Sequence, residues 1–192
     1  APSVSALSGD TTGLEGGLMS WTASAGDPGA GDVLSYHWDF GDGATGTTAT
    51  GGGSHSYGDE GSYTVTVTVS DDASPPATDS ASITVTVDNV PPTGLSLIVP
   101  SGDEGELLTM SASATDSGND VITYTWDFGD GSASTTGASV THSYVNDGLF
   151  TVTVTASDGD GGSVSAGTVS TIANLNPAIS SLTGDVTGDE GA

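Results

Sequence analysis

Residues 36–43 read Tyr-His-Trp-Asp-Phe-Gly-Asp-Gly, and residues 124–131 read Tyr-Thr-Trp-Asp-Phe-Gly-Asp-Gly. In each stretch the aromatic residues fall on alternate positions and a Gly-Asp-Gly turn follows at once. That is the two-residue period of a strand with one buried face, ended by a break. Working outward, Leu34 and Ile122 extend the two alternations by one step. His55-Ser56-Tyr57 returns as His142-Ser143-Tyr144, and the alternation of Tyr63 to Ser70 returns as Phe150 to Ser157. Trp38 and Trp126 stand 88 residues apart and the later pairs 87. Self-similarity at a fixed period marks a tandem array.

A second pattern sets the boundaries. Asn89-Val90-Pro91-Pro92 opens a second copy and Asn174-Leu175-Asn176-Pro177 a third. Pro177 to Glu190 matches Pro2 to Glu15, so the division expected is 1–88, 89–173 and an incomplete third copy, 174–192. Within each complete copy, further alternations (Met19, Trp21, Ala23; Ile83, Val85, Val87) bring the expectation to about seven short strands. Seven strands with a Trp on the third fit an immunoglobulin-like sandwich, so the fold class expected is all-β, as tandem sandwiches.

Composition points the same way. Gly, Ser, Thr, Ala and Val dominate, and there is no lysine or arginine among 192 residues. Against 25 Asp and Glu this gives a formal charge of -25, which excludes nucleic acid and anionic membrane surfaces as electrostatic partners. Each carboxylate must sit in water, accept hydrogen bonds or meet a cation. No cysteine is present, so neither disulfides nor thiolate metal sites contribute, and bound metal is one remaining staple for small domains. No apolar run approaches the roughly 20 residues of a membrane span, so no membrane insertion is expected. No signal peptide is recognisable and the chain starts at Ala1, the expectation being a processed chain or a segment of something longer. High acidity also suits life in high salt, and no Asn-x-Ser/Thr sequon occurs.

The succession Trp-Asp-Phe-Gly-Asp-Gly, His-Ser-Tyr and Gly-x-Tyr/Phe-Thr-Val-Thr-Val resembles PKD (polycystic kidney disease) domains, twice over. The resemblance implies an extracellular or cell-surface, prokaryotic protein without catalysis of its own: a spacer, stalk or binding module, as in surface and adhesive proteins or beside secreted hydrolases. It also implies that Asp39, Asp42, Asp127 and Asp130, paired carboxylates of the kind glycosidases use, are turn formers. His55 and His142 then pack beside that turn rather than bind metal, and His37 faces outward.

If the strands run as in that family, the inter-repeat linker and two acidic loops meet at one pole of each domain. In the second copy these supply Asn89, Asp116, Asp120, Asp158 and Asp160, a mixture of oxygens that suits Ca²⁺. The resemblance to calcium-binding PKD domains implies Asn89, Asp116 and Asp158 as the leading ligands. The first copy offers Asp27 and Asp32 in a second-to-third strand loop lengthened around Pro28, and Asp71 and Asp72 in the sixth-to-seventh, and solvated loops without an ion are the competing reading. Asn174 opens the third copy as Asn89 opens the second. Glu15, Glu104 and Glu190 each precede Gly after the first strand, at the opposite pole, from which Glu15 would reach the junction at Asn89.

The function expected is a calcium-stiffened filament, stalk or adhesin whose partners are neighbouring copies or repeats of the same protein. The strand Ala178 to Leu182 would either continue the array or be donated to another subunit. The alternative is an accessory module of a secreted hydrolase binding polysaccharide or another surface ligand. That reading needs exposed aromatic platforms, and Trp21, Trp38 and Trp126 all fall on inward positions.

Overall fold

The computed structural model describes residues 1–29, 31–178 and 181. The first repeat comprises β1 (Ser3–Gly9), β2 (Thr12–Leu14), β3 (Leu18–Gly26), β4 (Ser35–Asp39), β5 (Thr45–Thr48), β6 (Gly52–Ser56), β7 (Gly61–Ser70) and β8 (Thr78–Asp88). The second comprises β9 (Thr93–Ile98), β10 (Gly102–Asp103), β11 (Leu108–Thr115), β12 (Thr123–Asp127), β13 (Thr135–Thr136), β14 (Ser139–His142), β15 (Gly148–Ser157) and β16 (Ser163–Ala173). Each repeat is a sandwich of a three-stranded sheet (β1-β3-β6; β9-β11-β14) on a five-stranded one (β2-β8-β7-β4-β5; β10-β16-β15-β12-β13). Most of the third-copy strand, Ala178 to Leu182, and Glu190 lie outside the described residues.

Eight strand segments appear in each repeat where about seven were expected, because the first strand changes sheets. β1 pairs antiparallel with β3, whereas β2 pairs parallel with β8 in the other sheet. The switch places Glu15, just after β2, against the end of β8, where its N–H donates to the Asp88 carbonyl at 3.1 Å.

The alternation read from the sequence is the core. Val65, Val67 and Val69 of β7 are fully buried, and Met19, Trp21, Trp38, Phe40 and Tyr57 pack with them. Val152, Val154, Met110, Trp126 and Phe128 repeat the arrangement. The repeats fill one place differently. Trp21 pairs with Gly53 in the first, and Met110 with Val140 in the second. A Cβ on Gly53 would fall 2.6 Å from the Trp38 ring, so a large residue opposite none replaces two of middle size and conserves volume.

The Trp-Asp-Phe-Gly-Asp-Gly turn is locked from three sides. Asp39 accepts the Gly41 N–H at 3.0 Å and Asp42 the Ala44 N–H at 2.9 Å. Tyr57 donates its hydroxyl to the Phe40 carbonyl at 2.8 Å. His55 stacks on Phe40 and meets Asp42 at 2.6 Å. Asp127, Asp130, Tyr144 and His142 repeat these contacts, with the tyrosine bond at 3.0 Å and the histidine contact at 2.8 Å. Gly41 and Gly129 have φ of 85° and 74°, and a Cβ there would strike the Thr64 or Thr151 backbone. The carboxylates and histidines of the motif therefore hold a turn, and His37 lies exposed.

Candidate metal centre at the junction of the repeats

Two backbone hydrogen bonds fix the loop after β6 to its surroundings. Gly16 donates to the Tyr57 carbonyl at 2.7 Å, and Asn119 of the second repeat donates to the Gly58 carbonyl at 2.8 Å. The second bond crosses the boundary, so Glu15, Asp59 and Glu60 of the first repeat face the β11–β12 loop, Asp116 to Asp120, of the second. Packing is close: a Cβ on Gly16 would lie 2.3 Å from the Ser117 carbonyl oxygen.

Glu15 is the centre of this interface. It is 1% exposed, and its Oε1 accepts the Val90 N–H at 2.7 Å. Its Oε2 has no donor. Burial pushes its carboxyl above the ordinary range, the Val90 N–H opposes this, and the charges of Asp120, Asp116 and Asp59 add to the rise. One oxygen each of Glu15, Asp116 and Asp120 lies within 4.8 Å of the others. Asp116 Oδ2, Asp120 Oδ2 and Asn89 Oδ1 are likewise buried without a donor. Desolvation, then the charges of Asp160 and Asp116, raises Asp120.

Buried polar atoms without partners are expensive and correspondingly rare. Here Glu15, Asp116 and Asp120, each with a donor-free oxygen, share one place in a chain without a basic side chain. Carboxylate and amide oxygens at this spacing are the donor set of a hard cation, and Ca²⁺ takes 6–8 oxygens of this mixture at 2.3–2.6 Å. The residues fit calcium. Glu15, Asn89, Asp116 and Asp120 would hold it, with water completing the shell.

Asp158 stands outside the Glu15–Asp116–Asp120 group. Its Oδ1 accepts the N–H groups of Asp160 and Gly162, both at 2.9 Å, and its Oδ2 accepts from Asn89 Nδ2 at 3.0 Å. The Asn89 bond leads in holding its pKa low. Asp158 thereby ties the Asn89 side chain to the β15–β16 loop and leaves the Asn89 carbonyl oxygen buried without a donor, a role that spacing alone did not indicate. Asp59 and Glu60 are not among the loop residues the sequence singles out. The signal available was an Asp-Glu pair directly before the Gly-x-Tyr-Thr-Val strand, on the loop that carries Tyr57.

At the outer pole of the first repeat, Asp27, Asp32 and Asp71 bring oxygens within 4.8 Å of one another. Asp27 accepts the Gly29 N–H at 2.7 Å, and its Oδ2, on a side chain 4% exposed, lies 3.4 Å from the Ala1 ammonium. Asp71 Oδ1 is engaged by the Ala77 N–H at 2.8 Å. Asp72 stands apart, accepting from Val33 at 3.3 Å. Glu104 repeats the geometry of Glu15, its Oε1 accepting the Leu175 N–H at 3.1 Å beside Asn174. Glu104 joins no acidic group among the described residues.

A profile of the PKD domain matches residues 1–87 and again 89–172. The chain belongs to the PKD domain family. Its PKD repeats are 33% identical over 110 residues to the pre-pro-metalloprotease PrtV of Vibrio cholerae, a match covering 57% of this chain and 11% of that protein. They are 43% identical over 58 residues to collagenase ColA of Bacillus cereus, covering 30% of this chain and 6% of that one. The chain thus spans about a tenth or less of the curated relatives it matches. Among solved structures, the PKD1 domain of the Vibrio cholerae metalloprotease PrtV is 34% identical with a TM-score of 0.37, covering 46% of this chain and 98% of that one. The amphioxus IgVJ-C2 molecule is 17% identical with a TM-score of 0.53, covering 83% of this chain and 99% of that one, a likeness of immunoglobulin-like fold.

Proposed function

We propose that this chain is a stretch of a non-catalytic, extracellular rod of PKD domains, part of a prokaryotic filament, stalk or adhesin, in which calcium stiffens the joint between repeats. The single observation behind this reading is Glu15: a carboxylate 1% exposed, bonded across the boundary to Val90, with its second oxygen unpartnered and facing Asp116 and Asp120. Without a cation, this interface brings like charges together in a dry place. With calcium, ligands from both repeats share one ion, and bending the joint would require breaking ion–oxygen bonds. Neighbouring repeats, and copies meeting through the Asp27 pole, are the partners this geometry suits.

The protease relatives favour a second reading, a spacer or substrate-binding module beside a catalytic domain. A stiff calcium-bound joint serves a spacer equally well. For a polysaccharide or other surface ligand bound by stacking, support is weaker, because every Trp, Tyr and Phe ring is buried or half-buried.

Calorimetric unfolding with saturating Ca²⁺ against excess chelator, at fixed ionic strength, tests the proposal. Calcium at 100 times its Kd adds about 2.7 kcal/mol, so a rise in Tm specific to calcium is expected. Stabilisation by monovalent salt alone would leave a spacer adapted to high salt, with no calcium joint.

A further inference from the structure

Beyond the cation held by Glu15, Asn89, Asp116 and Asp120, and resting on that reading, we propose that the same junction binds a second divalent cation, between Glu60, Asp120 and Asp160 and beside Glu15 and Asp59.

The carboxylates form a chain rather than a ring. One oxygen each of Glu60, Asp120 and Asp160 lies within 4.8 Å of the others, and the same holds for Glu15, Asp59 and Glu60. Glu15 and Asp120, both ligands of the first position, therefore each reach Glu60. A carboxylate has two oxygens and can bridge two ions, so sharing Glu15 and Asp120 needs no new residue.

The unpartnered atoms continue along this chain. Glu60 Oε2 is buried without a donor, as is Asp120 Oδ2, and Glu15, 1% exposed with its Oε2 unpartnered, belongs to the Asp59–Glu60 group as well.

Charge supports the same count. Glu15, Asp59, Glu60, Asp116, Asp120 and Asp160 surround the junction without a basic side chain anywhere in the sequence. One divalent ion leaves most of that charge uncompensated, and a second at Glu60 halves what is left. Asp59 and Asp160 are exposed, so this second position takes more water in its shell and fills after the first.

The experiment is a count of bound Ca²⁺ by native mass spectrometry on the whole chain, titrated with calcium chloride, beside the calcium-dependent rise in Tm. In the Glu60→Gln, Asp160→Asn double variant, one fewer ion than wild type is expected, with most of the Tm rise kept. Asp116→Asn should instead remove the tighter ion and most of that rise. An unchanged count in the double variant, or loss of its whole Tm rise with a single ion, would overturn the second site and leave the one-ion joint standing. No calcium on the wild-type chain would overturn both.

Discussion

Glu15 and Val90 join the two PKD repeats: the buried carboxylate accepts the Val90 N–H at 2.7 Å through Oε1 and turns a donor-free Oε2 toward Asp116 and Asp120. One side chain thus docks the linker with one atom and leaves the other free for the cation proposed above.

Substituting Glu15→Gln should act in opposite directions in the two states. In chelator the variant loses a buried charge that burial and Asp120 disfavour, so its Tm rises. In calcium it loses a charged ligand. A tenfold loss of affinity is about 1.4 kcal/mol. For a domain of this size that takes about 6 °C from the calcium-dependent gain in Tm. Calorimetry of both proteins in both buffers measures the crossing, and a parallel shift in both buffers would contradict the assignment.

Acidity gives a second signature. The folded pKa values of Glu15, Asp120 and Glu60 are raised, so without calcium these groups favour the fold in their protonated form. That stability is complete below their ordinary values of 4.5 and 3.8 and is lost as pH rises through the folded values. Asp158, led by its Asn89 bond, and Asp130, whose Ser132 and His142 contacts outweigh burial, are lowered and behave oppositely, losing stability as pH falls through their folded values. Chelated protein should therefore gain Tm from pH 7 toward mild acid and lose it further down. Calcium-loaded protein should lose Tm throughout, as protons displace the ion.

The strands and the repeat were legible because a two-residue period survives in any sequence whose strand has one buried face, as Val65, Val67 and Val69 show. The sheet switch between β1 and β2 was not, since Thr12-Gly13-Leu14 is too short to carry a period. Glu15, Asn89, Asp116 and Asp120 could be named from loop chemistry and the family resemblance. Asp59 and Glu60 could not, because they reach the junction only through the Gly16–Tyr57 and Asn119–Gly58 backbone bonds, which are tertiary.

Tyr57→Phe and Tyr144→Phe test whether the turn lock is equivalent in the two repeats. Burial raises both hydroxyls to about 12, so both donate throughout the stable range. Each loss strands a buried carbonyl, of Phe40 or Phe128, and should cost about 1–2 kcal/mol. Calcium binding should be unchanged in both variants, as measured by titration calorimetry.

Gly16→Ala probes docking without touching a ligand. Its φ of 69° disfavours a side chain by about 1–2 kcal/mol. The new Cβ would also press on the Ser117 carbonyl. Calcium affinity should fall although every carboxylate remains, and an unchanged affinity would mean that the repeats need not pack this closely for the ion to bind.

The stiff joint itself is tested most directly by the distance between the repeats. The chain has no cysteine, so spin labels placed through Thr84→Cys on β8 and Thr168→Cys on β16 report one distance by pulsed electron resonance. A narrow distribution in Ca²⁺ that broadens in chelator is the predicted result, with Glu15→Gln broad in both. Equal widths with and without calcium would contradict a calcium-stiffened junction.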